Sequence, residues 1–189
     1  MSPKKTLAVL VVLLAAGGIY WFGAAGRKPD TAAPGDAMAA FVVKKDRPAV
    51  PDVSFADGAG TPLKISDWKG RVALVNLWAT WCAPCRKEMP ALAQLETTLG
   101  SKDFEVVAVS VDKKGAEASS AFLKEVKADN LKLYVDPSMA VYSSLQTIGL
   151  PTTLLIDRQG REIGRLIGPA DWSSPEAQAL IKSAIAEKE

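Results

Sequence analysis

VALVNLWATWCAPCRKEMP, residues Val72 to Pro90, joins a near-continuous apolar run to a pair of cysteines and then to a helical pattern. Val72 to Trp78 reads as a strand buried on both faces, because no polar alternation interrupts it. Beyond the cysteines the apolar marks Met89, Leu92, Leu95 and Leu99 recur at spacings of three and four, which predicts an amphipathic helix that Gly100 ends. Working outward, Phe104 to Val111 is a second buried strand, Ala116 to Lys127 a second helix, Leu131 to Val135 a third strand and Ser138 to Leu145 a shorter helix. Thr152 to Ile156 and Glu162 to Ile167 flank Asp157-Arg158-Gln159-Gly160, an antiparallel hairpin pattern. Ser173-Ser174-Pro175-Glu176 opens a last helix with a capping serine, an early proline and an early acid. Upstream, Val53 to Phe55 and Pro62 to Ile65 read as short strands around Asp57-Gly58. The order β-β-β-α-β-α-β-α-β-β-α calls for helices on both faces of a mixed central sheet with an antiparallel edge hairpin, a three-layer α/β/α sandwich.

The 189 residues are 48% hydrophobic and 23% charged, the profile of one folded domain plus an extra segment. That segment is Thr6 to Gly26, uncharged throughout and, as a helix, roughly 30 Å long, about one hydrocarbon thickness. With Tyr20, Trp21 and Phe22 as an interfacial belt it reads as a retained transmembrane anchor. A cleaved signal peptide is the alternative, with Lys4 and Lys5 as its basic start. Either one exports the remainder. Residues 1–5 are then a short cytoplasmic N-terminus, 27–48 a linker and approach strand, and 49–189 the folded domain. From Ala49 onward there are 16 Lys+Arg against 18 Asp+Glu, so the domain lacks the basic face of a nucleic-acid binder.

The absence of histidine excludes Ser-His-Asp hydrolases, Cys-His proteases and histidine-ligated metal centres. Cys82 and Cys85 are the only cysteines, too few for a four-ligand structural zinc site within one chain. Met38, Met89 and Met139 are scattered and supply no methionine copper site. Cysteine chemistry must therefore run between the two sulfurs and a partner. At a helix N-terminus, unpaired N–H groups and the helix dipole stabilise a thiolate, which makes Cys82 the expected nucleophile. Cys85, one turn on and inward, is the expected resolving thiol. Pro84 suits the first helical turn. No histidine lies between the cysteines to over-stabilise a thiolate, so the pair is expected to act as a reductant. A structural disulfide closing so small a loop would stabilise little. A thiol peroxidase, a zinc site shared by two chains and a non-catalytic anchored binding module remain as alternatives.

The run Val75 to Pro90, together with Gly149-Leu150-Pro151-Thr152-Thr153, resembles the thioredoxin superfamily, more narrowly membrane-anchored TlpA-like thiol:disulfide oxidoreductases and their ResA/CcmG relatives. The resemblance spans roughly Ala49 to Glu189 and implies a thioredoxin-like fold with a cis peptide before Pro151. The Leu150 backbone would then face Cys82 and pair with an extended client segment. Trp81, Ala83 and Pro84 would complete the docking surface, with Trp78 shielding the sulfur or packing in the core. Pro90 is expected to kink its helix. Cytosolic thioredoxins carry a buried aspartate where this chain has Asn76, which cannot ionise. Glu88, where extracytoplasmic relatives keep an acid, is the candidate proton relay, the alternative being a solvated acid beside Arg86 and Lys87. The resemblance further implies a redox-active disulfide with no bound cofactor or metal, a monomer on the outer side of the cytoplasmic membrane, and a membrane thiol donor of electrons. Its disulfide-containing clients would be copper-site proteins of cytochrome oxidase for the TlpA-like branch, or apocytochrome c with its haem-attachment cysteines.

Overall fold

A computed structural model describes residues 38–187. The expected membrane span Thr6–Gly26, the short N-terminus and the linker up to residue 37 lie outside the described residues. Among the described residues no helix is long and apolar enough to cross a membrane.

Eight strands form one sheet: β1 (Val42–Val43), β2 (Ser54–Asp57), β3 (Pro62–Lys64), β4 (Val72–Trp78), β5 (Phe104–Ser110), β6 (Tyr134–Val135), β7 (Thr152–Ile156) and β8 (Glu162–Ile167). Their spatial order is β1-β8-β7-β4-β5-β6-β2-β3. The apolar run of β4 is central as its composition requires. It pairs in parallel with β5, Val72 opposite Phe104, and antiparallel with β7, Leu77 opposite Thr152. All residues of these three strands are buried. This register sets Pro151, just ahead of β7, beside the end of β4 from which the chain turns into Trp81-Cys82.

Side chains alternate between two cores. Leu74, Trp78, Val106 and Ala108 face the helices α1 (Ala83–Leu99), α2 (Gly115–Glu125) and α4 (Pro175–Ala186), meeting Met89, Leu92, Phe122 and Ile181. Ala73, Val75, Leu77, Val107 and Val109 face the other way, toward the 3-10 turn Ile65–Trp68 and the short helix α3 (Ala140–Ser144). The expected three layers are therefore unequal. A five-residue helix cannot cover half a sheet, and Phe55, Trp68 and Tyr134 fill the space as an aromatic trio with ring centres 5.4 to 5.7 Å apart. Each large apolar side chain buried in either core contributes about 1.5–3 kcal/mol.

Three expectations need correction. The linker does not extend to Pro48, and the domain does not start at Ala49. Val42 and Val43 pair with Arg165 and Gly164, and the Lys44 N–H donates to the Ile163 carbonyl at 2.8 Å. Phe41 packs where a β-carbon on Gly164 would come within 2.6 Å of its ring, so the glycine makes room for this approach. In consequence the β7–β8 hairpin is not the sheet edge; β1 is. The third strand keeps only Tyr134 and Val135, the two residues that pair with β5 and β2, and the following helix starts later than expected because Asp136 holds the residues before it in a turn. Its carboxylate accepts the Val141 N–H at 2.7 Å and the Ser138 hydroxyl, folding the chain into a turn that enters α3 through left-handed Met139. Gly100 does end α1, but through close approach. Its φ is −53°, and a β-carbon there would lie 2.4 Å from the Glu96 carbonyl oxygen.

Candidate active site at the start of the first helix

Cys82 is the N-cap of α1, in extended conformation, with Ala83 and Pro84 as the first helical residues. Its sulfur accepts the Cys85 backbone N–H at 3.2 Å, one of the donors a helix start leaves unpaired. The two sulfurs are joined in a disulfide, with Cα atoms 5.3 Å apart. Cys82 is 5% exposed and Cys85 not at all, so an incoming group reaches Cys82 first. Trp81 stands 66% exposed beside it, and Ala83 and Pro84 also lie on the surface. Trp78 does not join that surface. It is fully buried and stacked on Phe122, whose other neighbour is the Arg86 guanidinium, 4.7 Å from the ring centre and paired with Glu125. Helix α1 continues through Pro90.

The Leu150–Pro151 peptide is cis. Pro151 is buried and Leu150 half-buried, and neither backbone group of Leu150 pairs with another backbone group among the described residues. Ile148 and Ile167 lie exposed near this loop. The loop between β4 and the cysteines is held from below by Asp112. Its carboxylate accepts both the N–H and the hydroxyl of Thr80 and, through its other oxygen, the Lys114 N–H at 2.9 Å.

Glu88 departs most from a surface helix acid. It lies on the same face of α1 as Cys85, one turn further along, and is buried. One carboxylate oxygen accepts from the Asn76 side-chain amide at 2.7 Å, and the other from the Ala170 N–H at 3.2 Å. The second amide proton of Asn76 goes to the Thr153 hydroxyl at 2.9 Å. Burial pushes the Glu88 carboxyl up to about 7. Asn76, the Ala170 N–H and the nearby Trp172 indole pull the other way by favouring the charged form. The Trp172 N–H is close but makes no hydrogen bond of ordinary geometry. A cleft of about 420 Å³ runs along Lys87, Glu88, Gln94, Ala170 and Asp171 and gives this buried carboxyl a way to solvent. The solvated-acid reading of Glu88 is thereby overturned. Sequence reasoning noticed Asn76 only as a departure and missed its contact with Glu88. It missed Thr153, Ala170 and Trp172 altogether, since their proximity arises from strand pairing and a distant loop. Among the described residues no group of three or more acidic or cysteine side chains could hold a metal ion.

A cysteine pair on a helix cap, set at the end of a central parallel strand beside a cis-proline turn, defines a thiol:disulfide oxidoreductase built on a thioredoxin-like sheet. The comparisons agree with that class. The chain belongs to the redoxin family, whose sequence pattern matches residues 44–181. It is 32% identical over 168 residues to the thiol:disulfide interchange protein HelX of Rhodobacter capsulatus, covering 87% of this chain and 88% of that one. It is also 32% identical over 120 residues to the thiol-disulfide oxidoreductase ResA of Bacillus cereus, covering 62% of this chain and 67% of that one. Among solved structures it is similar to a thiol:disulfide interchange protein DsbE from Chlorobium tepidum, with a TM-score of 0.67, 30% identity and coverage of 77% of this chain and 100% of that one.

Proposed function

We propose that the protein reduces disulfides of exported client proteins, with Cys82 as attacking and Cys85 as resolving thiol. The observation that carries this reading is the Cys85 N–H directed at the Cys82 sulfur, an interaction that favours the thiolate over the thiol, while Cys85 itself is sealed from solvent. In the reduced protein the Cys82 thiolate attacks a client disulfide. A Cys82–client bond forms, the client S–S bond breaks, and one client sulfur leaves as thiolate and takes up a proton. Cys85, deprotonated, then attacks Cys82, closes the 82–85 disulfide and releases the second client thiolate. Two electrons pass to the client, and the protein is left in the oxidised state described above. A membrane dithiol donor, oxidised in turn, restores it, and no bound cofactor enters the cycle. Glu88, one turn from Cys85 and open to the cleft, is suited to take and return the resolving thiol's proton. Trp81, Ala83, Pro84, Leu150 and Pro151 form the docking surface, where the free backbone of Leu150 accepts an extended client segment.

The uncharged run Thr6–Gly26 supports anchoring in the cytoplasmic membrane with the catalytic domain outside. The client class is the oxidised copper-site cysteines of a cytochrome oxidase subunit, on the TlpA-like character of the sequence around the cysteines. A second reading, the haem-attachment cysteines of apocytochrome c, rests on the resemblance of residues 75–90 to the ResA/CcmG branch. The test is capture. Cys85→Ser in the full-length chain is expected to accumulate mixed disulfides through Cys82 that reducing agent dissolves. Mass spectrometry of the captured chain then separates a copper protein from an apocytochrome. A Cys85→Ser protein that traps nothing, while Cys82→Ser does, would reverse the order of attack. Membrane fractionation of the same cells is expected to place the chain in the membrane pellet; recovery in the soluble exported fraction would favour a cleaved signal.

A further inference from the structure

The loop that leads into Pro151 is tied at both ends by side chains that do not touch the thiol pair. In an unbroken strand Glu162 and Arg165 would point to opposite faces of the sheet. A β-bulge changes that: Gly164 faces Leu155 and Glu162 faces Ile156, which leaves Ile163 as the extra residue. Glu162 and Arg165 thereby share the face of Ile156 and Leu154, the side on which α3 packs. The buried Glu162 carboxylate accepts from two nitrogens of the guanidinium, Nε at 2.6 Å and Nη2 at 2.5 Å. The third, Nη1, donates to the Leu145 carbonyl at 2.9 Å. No backbone N–H among the described residues reaches that carbonyl, although Leu145 is buried. Leu145 follows α3, whose five residues are too few to hold a last turn unaided. Next to it Gln146 takes a left-handed φ of 52°, a conformation that its surroundings must impose. At the other end of the loop the Thr152 hydroxyl donates to the Gly149 carbonyl at 2.7 Å. A carbonyl can only accept, so the direction of that bond is fixed.

We infer that the Glu162–Arg165 pair and the Thr152 hydroxyl are positioning residues for client docking: each ties one end of the loop 146–150, so the Leu150 backbone is in place before an extended segment arrives. The inference rests on the reading of Leu150 as the backbone that pairs with a client. A pair serving the sheet alone would need only the two-nitrogen fork. Here the bulge gives up a regular ladder position, turns Glu162 toward Arg165, and leaves the third nitrogen to reach from β8 to the start of the loop. Loosening either tie leaves the two sulfurs untouched, but the loop must then be ordered anew at each docking event.

The test offers the reduced full-length protein two probes that share a leaving group. One is the symmetric nitrobenzoate disulfide, which presents little beyond its sulfurs; the other is a linear peptide whose single central cysteine is joined to thionitrobenzoate. The Cys82 thiolate expels thionitrobenzoate from either, and Cys85 then closes the 82–85 disulfide and releases the second thiolate. Glu162→Leu/Arg165→Met removes the pair together, so no buried charge is left alone. It is expected to slow the peptide about three- to tenfold and to leave the small disulfide at the wild-type rate. Thr152→Val cuts the other tie and is expected to slow the peptide in the same sense, which keeps the inference open to refutation if the double variant does not fold. Hydrogen exchange reads the ties without a client. The Gln146 and Thr147 amides, bonded to the Ser143 and Tyr142 carbonyls, are expected to exchange faster in both variants, about tenfold in the double one. Wild-type exchange in either folded variant would overturn the inference, as would an equal slowing of the two probes. If the amides quicken and the peptide rate holds, the ties stand and the docking reading of Leu150 falls.

Discussion

Glu88 makes stability depend on pH in the sense opposite to a salt-bridged acid. Its carboxyl is raised to about 7 from an ordinary 4.5, so between those values the folded chain holds a proton that the unfolded chain has lost. Stability from this group is full below about 4.5, falls as pH rises through about 7, and is flat above. The difference is on the order of 3 kcal/mol. Glu88→Gln removes it. The neutral amide can still accept from the Ala170 N–H and meet a turned Asn76, so the variant is expected to be more stable than wild type at pH 8, by about 1–3 kcal/mol, and to lose that advantage at pH 5. Urea denaturation at the two pH values checks it, and an equal effect at both would place the cost elsewhere. At this scale the sequence was legible where chemistry is carried by residue type and spacing. Cys82, Cys85 and Pro151 were found that way. Asn76 was visible as an oddity, but its partner lies across a helix–sheet contact that no local pattern encodes.

Elements were legible in proportion to their length. The bounds of β4, β7 and β8 follow from apolar runs and a hairpin turn, and the observed strands match the expected ones residue for residue. The two-residue strands β1 and β6 have no room for a period and depend on tertiary contacts: β1 on the seat for Phe41 made by Gly164, β6 on its pairing with β5 and β2. Gly164→Ala places a methyl group within 2.6 Å of the Phe41 ring and of the Val42 carbonyl oxygen. It is expected to cost about 1–3 kcal/mol and to release β1. Hydrogen exchange should then show the amides of β1 losing protection while those of β4 and β7 keep theirs.

Across the whole molecule a second buried acid opposes the first. Glu105, at the far end of β5 from the cysteines, accepts from the Tyr134 hydroxyl, from Lys132 at 3.0 Å and from Arg71 at 2.9 Å. Burial raises its carboxyl, but these partners outweigh burial and leave it below its ordinary value. Its contribution is therefore present above the ordinary carboxylate range and lost as pH falls, the reverse of Glu88. Together the two predict greatest stability in mildly acidic solution, at roughly pH 4.5 to 5, with the thermal midpoint declining as pH rises toward 7 and declining again on further acidification. In Glu88→Gln the alkaline decline should flatten. A wild-type maximum at pH 8 or above would contradict this assignment.

A chain without imidazoles has little buffering power near neutrality, since ordinary carboxylates, lysines and tyrosines take up or release protons well away from it. With both thiols locked in the disulfide, the carboxyl at the foot of the cleft shares that quiet background with the α-amino group, whose contribution blocking the amine removes. Potentiometry on the oxidised protein can thus count a single side-chain proton near pH 7, and closing a thiol pair over it becomes an event that a glass electrode can register.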